Sequence, residues 1–330
     1  MKKIIIGIHG LKNKPASEVL KKWWIQSIKD GLRCLENREI DFEFEHFYWA
    51  DYNYPQPLNE TISDEENPLY VTNPYQKIDQ RSISKKNINL KKKLLERFEM
   101  QFDKILLKES SLLALEKIQD ITLRKMFLDL DTYYHGSCRA KPELHAQSAL
   151  REGFANLLRK HKHKKIMVIA HSMGGIIAYD TFSYLTPQIP IHTFITAGSP
   201  LGVPLVMKKI LQEQNLPIHP KTRIATPECI TNYWFNLSDL DDKICVNYNL
   251  ADDYHCNSKK VGPLDIVVKN LYEYKGERNP HKIYGYLQTP EMAKLILNYL
   301  AEAEKKALWE RIRKWFKKDK QFPLLLRSSD

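Results

Sequence analysis

A serine at position 172 ends the apolar run Ile166-Met167-Val168-Ile169-Ala170 and opens a segment in which Ile176, Ile177, Ala178 and Phe182 recur at helical spacing. The run has the length and β-branched content of a core strand. A serine wedged between strand and helix occupies a strained turn, so its neighbours two before and two after must be small. Here they are Ala170 and Gly174, and Gly175 lets the helix pack close. A hydroxyl in that place reads as a nucleophile; the alternative is a serine that caps the helix. Near neutral pH a serine hydroxyl attacks poorly. It needs an imidazole to take its proton, and the imidazole needs a carboxylate to fix its tautomer.

Residues 170–174, Ala-His-Ser-Met-Gly, resemble the nucleophile elbow G-x-S-x-G of the α/β-hydrolase superfamily, with Ala in place of the first Gly. Other pieces of the chain resemble the same family in the same order. They are His9-Gly10-Leu11, Gly198-Ser199-Pro200-Leu201-Gly202, the run Tyr233 to Ile244, and the run Asn279 to Glu291 around His281. The resemblance covers about 1–50, 140–202 and 230–300 and implies a serine hydrolase with its triad in the order serine, acid, histidine. That order selects Ser172, an acid among residues 239–242, and His281. In the register of lipase-like members the acid is Asp242, with Asp239 and then Asp241 as alternatives; His255 rivals His281. The resemblance further implies an oxyanion hole from the backbone N–H groups of Leu11 and Met173, with Gly10 shaping the turn. Gly10, His171, Ser199, Pro200 and Leu201 are expected around the pocket. No metal and no organic cofactor is required. The implied activity is cleavage of a carboxylic ester, and a lipid-like acyl substrate is expected by analogy and from the apolar insertion described below. Thioester cleavage or acyl transfer would use the same residues. A catalytically silent scaffold that binds a membrane or a partner is the reading from another class.

These side chains need a scaffold, and the sequence outlines one. Lys3 to Ile8 reads as a buried strand, 17–34 as a helix, and 41–49, with its alternation, as a half-exposed strand near a sheet edge. Residues 52–80 read as a loop and 85–128 as Lys-rich helices, so that 52–130 forms a helical insertion or cap. Residues 143–160 read as a helix, 166–170, 191–197 and 232–237 as strands. A last long helix begins at Pro290 with Thr289 as its N-cap. Alternating strands and helices predict an α/β fold: one domain over 1–330 with a mostly parallel central sheet covered by helices on both faces. The tail, 303–330, is a basic amphipathic helix with Leu308, Ile312, Trp315 and Phe316 on one face. Its two readings are docking on its own domain and contact with an anionic membrane.

Composition narrows the class. No apolar run approaches the roughly 18 residues that span a bilayer. The opening stretch imitates a signal peptide, but Gly7, His9, Gly10 and Lys12 interrupt it, and it reads as a strand. Five scattered cysteines form no C-x-x-C pair, which argues against a zinc ribbon or redox motif. Reduced thiols in a cytoplasmic protein, membrane-associated if the tail binds lipid, are the expectation. A net charge of +11 favours acidic partners, yet no nucleic-acid-binding motif accompanies it, and nucleic acid is not expected.

Overall fold

The computed structural model describes residues 1–36, 39–78, 121–219, 222–245 and 247–301. Among them the elements run β1 (Lys3–Ile8), α1 (Ser17–Arg33), β2 (Phe44–Phe47), α2 (Ile121–His135), α3 (Ala146–His161), β3 (Lys165–His171), α4 (Met173–Tyr184) and β4 (Ile191–Ala197). There follow α5 (Pro204–Glu213), β5 (Ile224–Ala225), β6 (Ile230–Asp239), α6 (Leu250–Asp253), β7 (Tyr254–His255) and β8 (Pro263–Val268). The short strands β9 (Glu273–Tyr274) and β10 (Glu277–Arg278) precede α7 (Ile283–Leu287) and α8 (Pro290–Leu300).

The fold is α/β. Its sheet has six strands in the order β2-β1-β3-β4-β6-β8, and every pairing is parallel. Apolar residues on both faces make this arrangement, because a parallel sheet is covered twice. Along β1, Ile4, Ile6 and Ile8 enter one core while Ile5 enters the other; along β3, Ile166, Val168 and Ala170 part from Met167 and Ile169 in the same way. Residues of α3, α4 and α5 close the first core. Residues of α1, α7 and α8 close the second.

Strand order reverses between β1 and β3: the chain leaves β1 for β2 at one edge, returns to β3, then proceeds to the other edge. In open parallel sheets the crevice at such a reversal, beyond the carboxyl ends of the strands, is where ligands bind. Gly10 and Ser172 lie just past the ends of those two strands.

Strand β2 is an edge strand, as its alternation predicts, but its ladder is confined to Phe44–Phe47. Strand β8 was not legible because Pro263 opens it and Asp265 interrupts its apolar run. Asp265 is buried for a structural purpose: it accepts hydrogen bonds from Asn236 Nδ2 (2.8 Å) and from the amides of Leu250 (3.0 Å) and Ala251 (2.9 Å). Thr289 caps α8 by accepting from the Met292 amide at 3.2 Å, with Pro290 at the first helical position.

Of the expected insertion, residues 79–120 lie outside the described residues, as does the expected tail helix at 303–330. Tyr52 packs against the first core, and residues 74–78 are strapped along the second. Tyr272 Oη donates to Pro74 O at 2.6 Å, Gln288 Nε2 donates to Gln76 O at 2.8 Å, and Gln288 Oε1 accepts from the Ile78 amide at 2.9 Å. Helix α2 is joined to α4 by a buried network: Tyr133 Oη donates to Asp180 Oδ2 (2.7 Å), which also receives Arg151 Nη2 (2.7 Å).

Candidate active site

Ser172 sits where β3 becomes α4, with φ 53° and ψ −129°. Positive φ is strained for a residue with a Cβ, and a tight strand-to-helix turn is one place such strain is held. The surroundings explain why small residues flank it. A Cβ on Gly174 would lie 2.7 Å from Ile8 O and 2.8 Å from His9 O, and one on Gly175 would strike Ser199 Oγ. The helix therefore presses against the β1 loop on one side and the β4 loop on the other.

Asp242 and His281 meet. His281 Nδ1 lies 3.0 Å from Asp242 Oδ1 and 2.8 Å from Oδ2. Because a carboxylate only accepts, Nδ1 carries the proton and Nε2 keeps its lone pair. The carboxylate is fixed by three further donors: the Ile244 amide to Oδ1 (2.9 Å), and Tyr286 Oη (2.8 Å) and Cys245 Sγ (3.5 Å) to Oδ2. The Asp242 side chain is fully buried, whereas His281 is 30% exposed, so the pair is anchored at one end and reachable at the other. Gly198, at φ +57°, makes room for it: a Cβ there would lie 2.9 Å from Asp242 Oδ2 and 3.2 Å from His281 Nδ1.

The rival acids and the rival histidine go elsewhere. Asp239 accepts from the amides of Asp241 (2.8 Å) and Asn270 (2.6 Å) and from Arg278 Nη2 (2.8 Å), and burial raises its pKa to about 6. Asp241 pairs with Arg278 Nη1 at 2.6 Å. His255 is exposed on β7, its Nδ1 3.0 Å from Cys256 O.

His171 links the elbow to the histidine loop. Its Nε2 donates to the His281 carbonyl at 2.8 Å, and the two rings stand 4.7 Å apart. Burial, with His281 close by, lowers its pKa well below the ordinary histidine value.

The loop after β1 is held in a way that aims its amides. A Cβ on Gly10 would lie 2.7 Å from Ser172 Cβ and 3.2 Å from Ser172 Oγ, so this loop lies against the serine. His9 Nδ1 donates to Gly10 O at 2.8 Å, while its Nε2 accepts from the Trp49 amide at 3.0 Å, with the His9 and Trp49 rings stacked. C=O and N–H of one peptide plane point oppositely, so fixing Gly10 C=O also fixes the direction of Leu11 N–H. Lys14 Nζ donates to the carbonyls of both Leu11 and Lys12 and so fixes the next two peptides. Among the described residues no acceptor engages the amide of Leu11 or of Met173, the latter at the first turn of α4.

Beside this loop runs a cleft lined by Leu11 and Met173, by the aromatic and aliphatic residues Trp49, Tyr133 and Leu150, and by the charged residues Lys12, Asp129 and Arg139. Of the residues expected around the pocket, Gly10 and His171 lie against Ser172 and His281. Ser199, Pro200 and Leu201 are buried: Ser199 packs on Gly175, and Leu201 O accepts from Tyr254 Oη at 3.0 Å. Trp49, Tyr133 and Cys245 also lie at the site and carry no sequence signal of their own, whereas Gly198 and Tyr286 fall inside the runs that resemble the family. Among the described residues no group of three or more His, Cys, Asp or Glu side chains has metal-binding geometry.

Residues 147–280 match the sequence profile of the PGAP1-like alpha/beta domain, an α/β-hydrolase-like family with a mostly parallel sheet. The match spans α3 to the residue before His281; it takes in Ser172 and Asp242 and leaves out the loop after β1. Comparison with curated proteins and with solved structures returned no match. The likeness points to hydrolase chemistry without specifying a substrate.

Proposed function

We propose that this protein is a serine hydrolase that cleaves a carboxylic ester through an acyl-enzyme on Ser172. The observation that carries this reading is the Asp242–His281 pair, which leaves Nε2 of an accessible imidazole as a base beside the loop that holds Ser172. In the first half-reaction Ser172 Oγ attacks the ester carbonyl as its proton passes to His281 Nε2. The Leu11 and Met173 amides hold the oxyanion. The acyl–oxygen bond then breaks, and the leaving alcohol takes the proton from Nε2. In the second half-reaction water attacks the acyl-enzyme, gives its proton to Nε2, and Ser172 departs with that proton as the acid is released. Asp242 holds the imidazole tautomer throughout.

The apolar residues that line the cleft, Trp49, Tyr133, Leu150 and Met173, suit an acyl chain, and a lipid-like ester is the substrate this favours. Thioester cleavage and acyl transfer share the acyl-enzyme and differ only in leaving group or acceptor. The test is steady-state turnover of an ester chain-length series by wild type and Ser172→Ala. Loss of a triad member lowers kcat by roughly 10⁴-fold or more, and a loss below about tenfold removes Ser172 from the mechanism.

A further inference from the structure

We infer that His171 and Asn270 are positioning residues that grip three consecutive backbone carbonyls, those of Pro280, His281 and Lys282, and so fix where the His281 ring stands; this rests on the hydrolase reading above. His281 lies on the connection 279–282 between β10 and α7, where no sheet ladder pairs its backbone. Backbone groups in such a loop need other partners. Asn270 Nδ2 donates to Pro280 O and to Lys282 O, both at 2.8 Å. His171 Nε2 donates to the His281 carbonyl between them, also at 2.8 Å. The amides are held too: that of His281 donates to Asn279 Oδ1 at 3.2 Å and that of Lys282 to Asn279 O at 3.1 Å.

Both grips stand on the central sheet. His171 is the last residue of β3, and Asn270 follows the end of β8. Both side chains are buried. Asn270 is itself fixed: its carbonyl accepts from Arg278 Nε at 3.1 Å and Nη2 at 3.0 Å, and its Oδ1 accepts from the Tyr272 amide at 3.0 Å. With Oδ1 so engaged, the NH₂ is the end that faces the histidine loop. Gly285 leaves the room this needs, because a Cβ there would lie 1.6 Å from Asn270 Oδ1.

Asp242 holds one ring nitrogen of His281, and that contact alone leaves the ring free to pivot about it. The clamp on 280–282 fixes the backbone from which the ring projects. Together they set the place of Nε2, the atom that must meet Ser172. Misplacing a reacting group by 1 Å costs about 10²-fold in rate.

The experiment measures ester kcat and KM, and the rate of fluorophosphonate labelling, for wild type, His171→Leu, His171→Gln and Asn270→Ala, with urea unfolding to verify the fold. Leucine has no donor, whereas glutamine can carry an amide N–H to the His281 carbonyl. The inference expects His171→Leu and Asn270→Ala to lower kcat and the labelling rate by about 10²-fold, with KM changed by less than about threefold, and His171→Gln to recover most of the loss. If Asn270→Ala does not fold, the two His171 variants decide. His171 also lies against Gly10, whose added Cβ would stand 3.1 Å from Nδ1, so His171→Leu is repeated in Asp242→Asn. A residue that acts through the imidazole adds less than about threefold to a protein whose imidazole is already disabled, whereas disturbed oxyanion donors add their full effect. Full additivity, or turnover and labelling near wild type in folded His171→Leu, overturns the inference and leaves the hydrolase reading intact. Folded wild type that shows neither turnover nor adduct removes the hydrolase reading and this inference with it.

Discussion

Replacing Asp242 by Asn probes the orientation of His281 with little change in shape. The surroundings dictate how the amide must sit. The Ile244 amide donates to Oδ1 at 2.9 Å, so an NH₂ there would face another N–H; the amide oxygen keeps that place and the NH₂ takes the Oδ2 position. Oδ2 is also the atom nearer His281 Nδ1, at 2.8 Å. Two donors would then face each other, and the imidazole relieves this by moving its proton to Nε2. In that tautomer it cannot accept the proton of Ser172. Tyr286 Oη, which in the native protein donates to Oδ2 and accepts from the Asp239 amide at 3.0 Å, can turn its proton away and accept from the new NH₂, so the fold is kept. A wrong tautomer in such a triad costs about 10⁴-fold in kcat, or about 5.5 kcal/mol of transition-state stabilisation. Asp239→Asn, whose carboxylate serves Asn270, Asp241 and Arg278 rather than the imidazole, is expected to lower stability far more than turnover. Steady-state ester hydrolysis and urea unfolding on both variants make the comparison. A loss below about tenfold in Asp242→Asn, or an equal loss of turnover in folded Asp239→Asn, refutes the assignment.

Gly10→Ala places a methyl 2.7 Å from Ser172 Cβ, so the loop must retreat and Leu11 N–H is misaimed; kcat is expected to fall by about 10²-fold, the effect of losing one oxyanion donor, and retention of near-native turnover would exclude this loop from the oxyanion site. His46 is buried with both ring nitrogens unpartnered among the described residues, and burial, helped by Lys21 and Lys14, lowers its pKa from 6.5 to about 3. The native state then binds fewer protons than the unfolded chain, so the stability in question is full above the unfolded value of 6.5 and drains away as pH falls toward 3. Relative to His46→Phe, wild type should lose about 2 kcal/mol between about pH 7 and pH 5 in urea melts, and parallel stability curves for the two proteins would contradict this.

Much of the architecture was legible because local signals agreed. Strands β1 and β3 announce themselves as unbroken apolar runs, and Thr289-Pro290 marks the start of α8 by cap chemistry alone. The acid is legible only as a cluster: three aspartates within four residues have the same composition, and the turn after β6 decides which one faces the imidazole. The cleft wall was not legible for a similar reason. Trp49 and Tyr133 are drawn to the site by His9 and by the Arg151–Asp180 pair, contacts between segments far apart in sequence that no period in the chain encodes. The Gly198-Ser199 segment reads from sequence as a pocket wall; in the structure its glycine lies against the Asp242–His281 pair and its serine against Gly175.

The most direct measurement is reaction of the folded protein with a fluorophosphonate, read by intact mass, beside Ser172→Ala. An activated serine at position 172 predicts a single adduct on wild type and none on the variant. An adduct that persists in Ser172→Ala, or no adduct on well-folded wild type, would contradict the account.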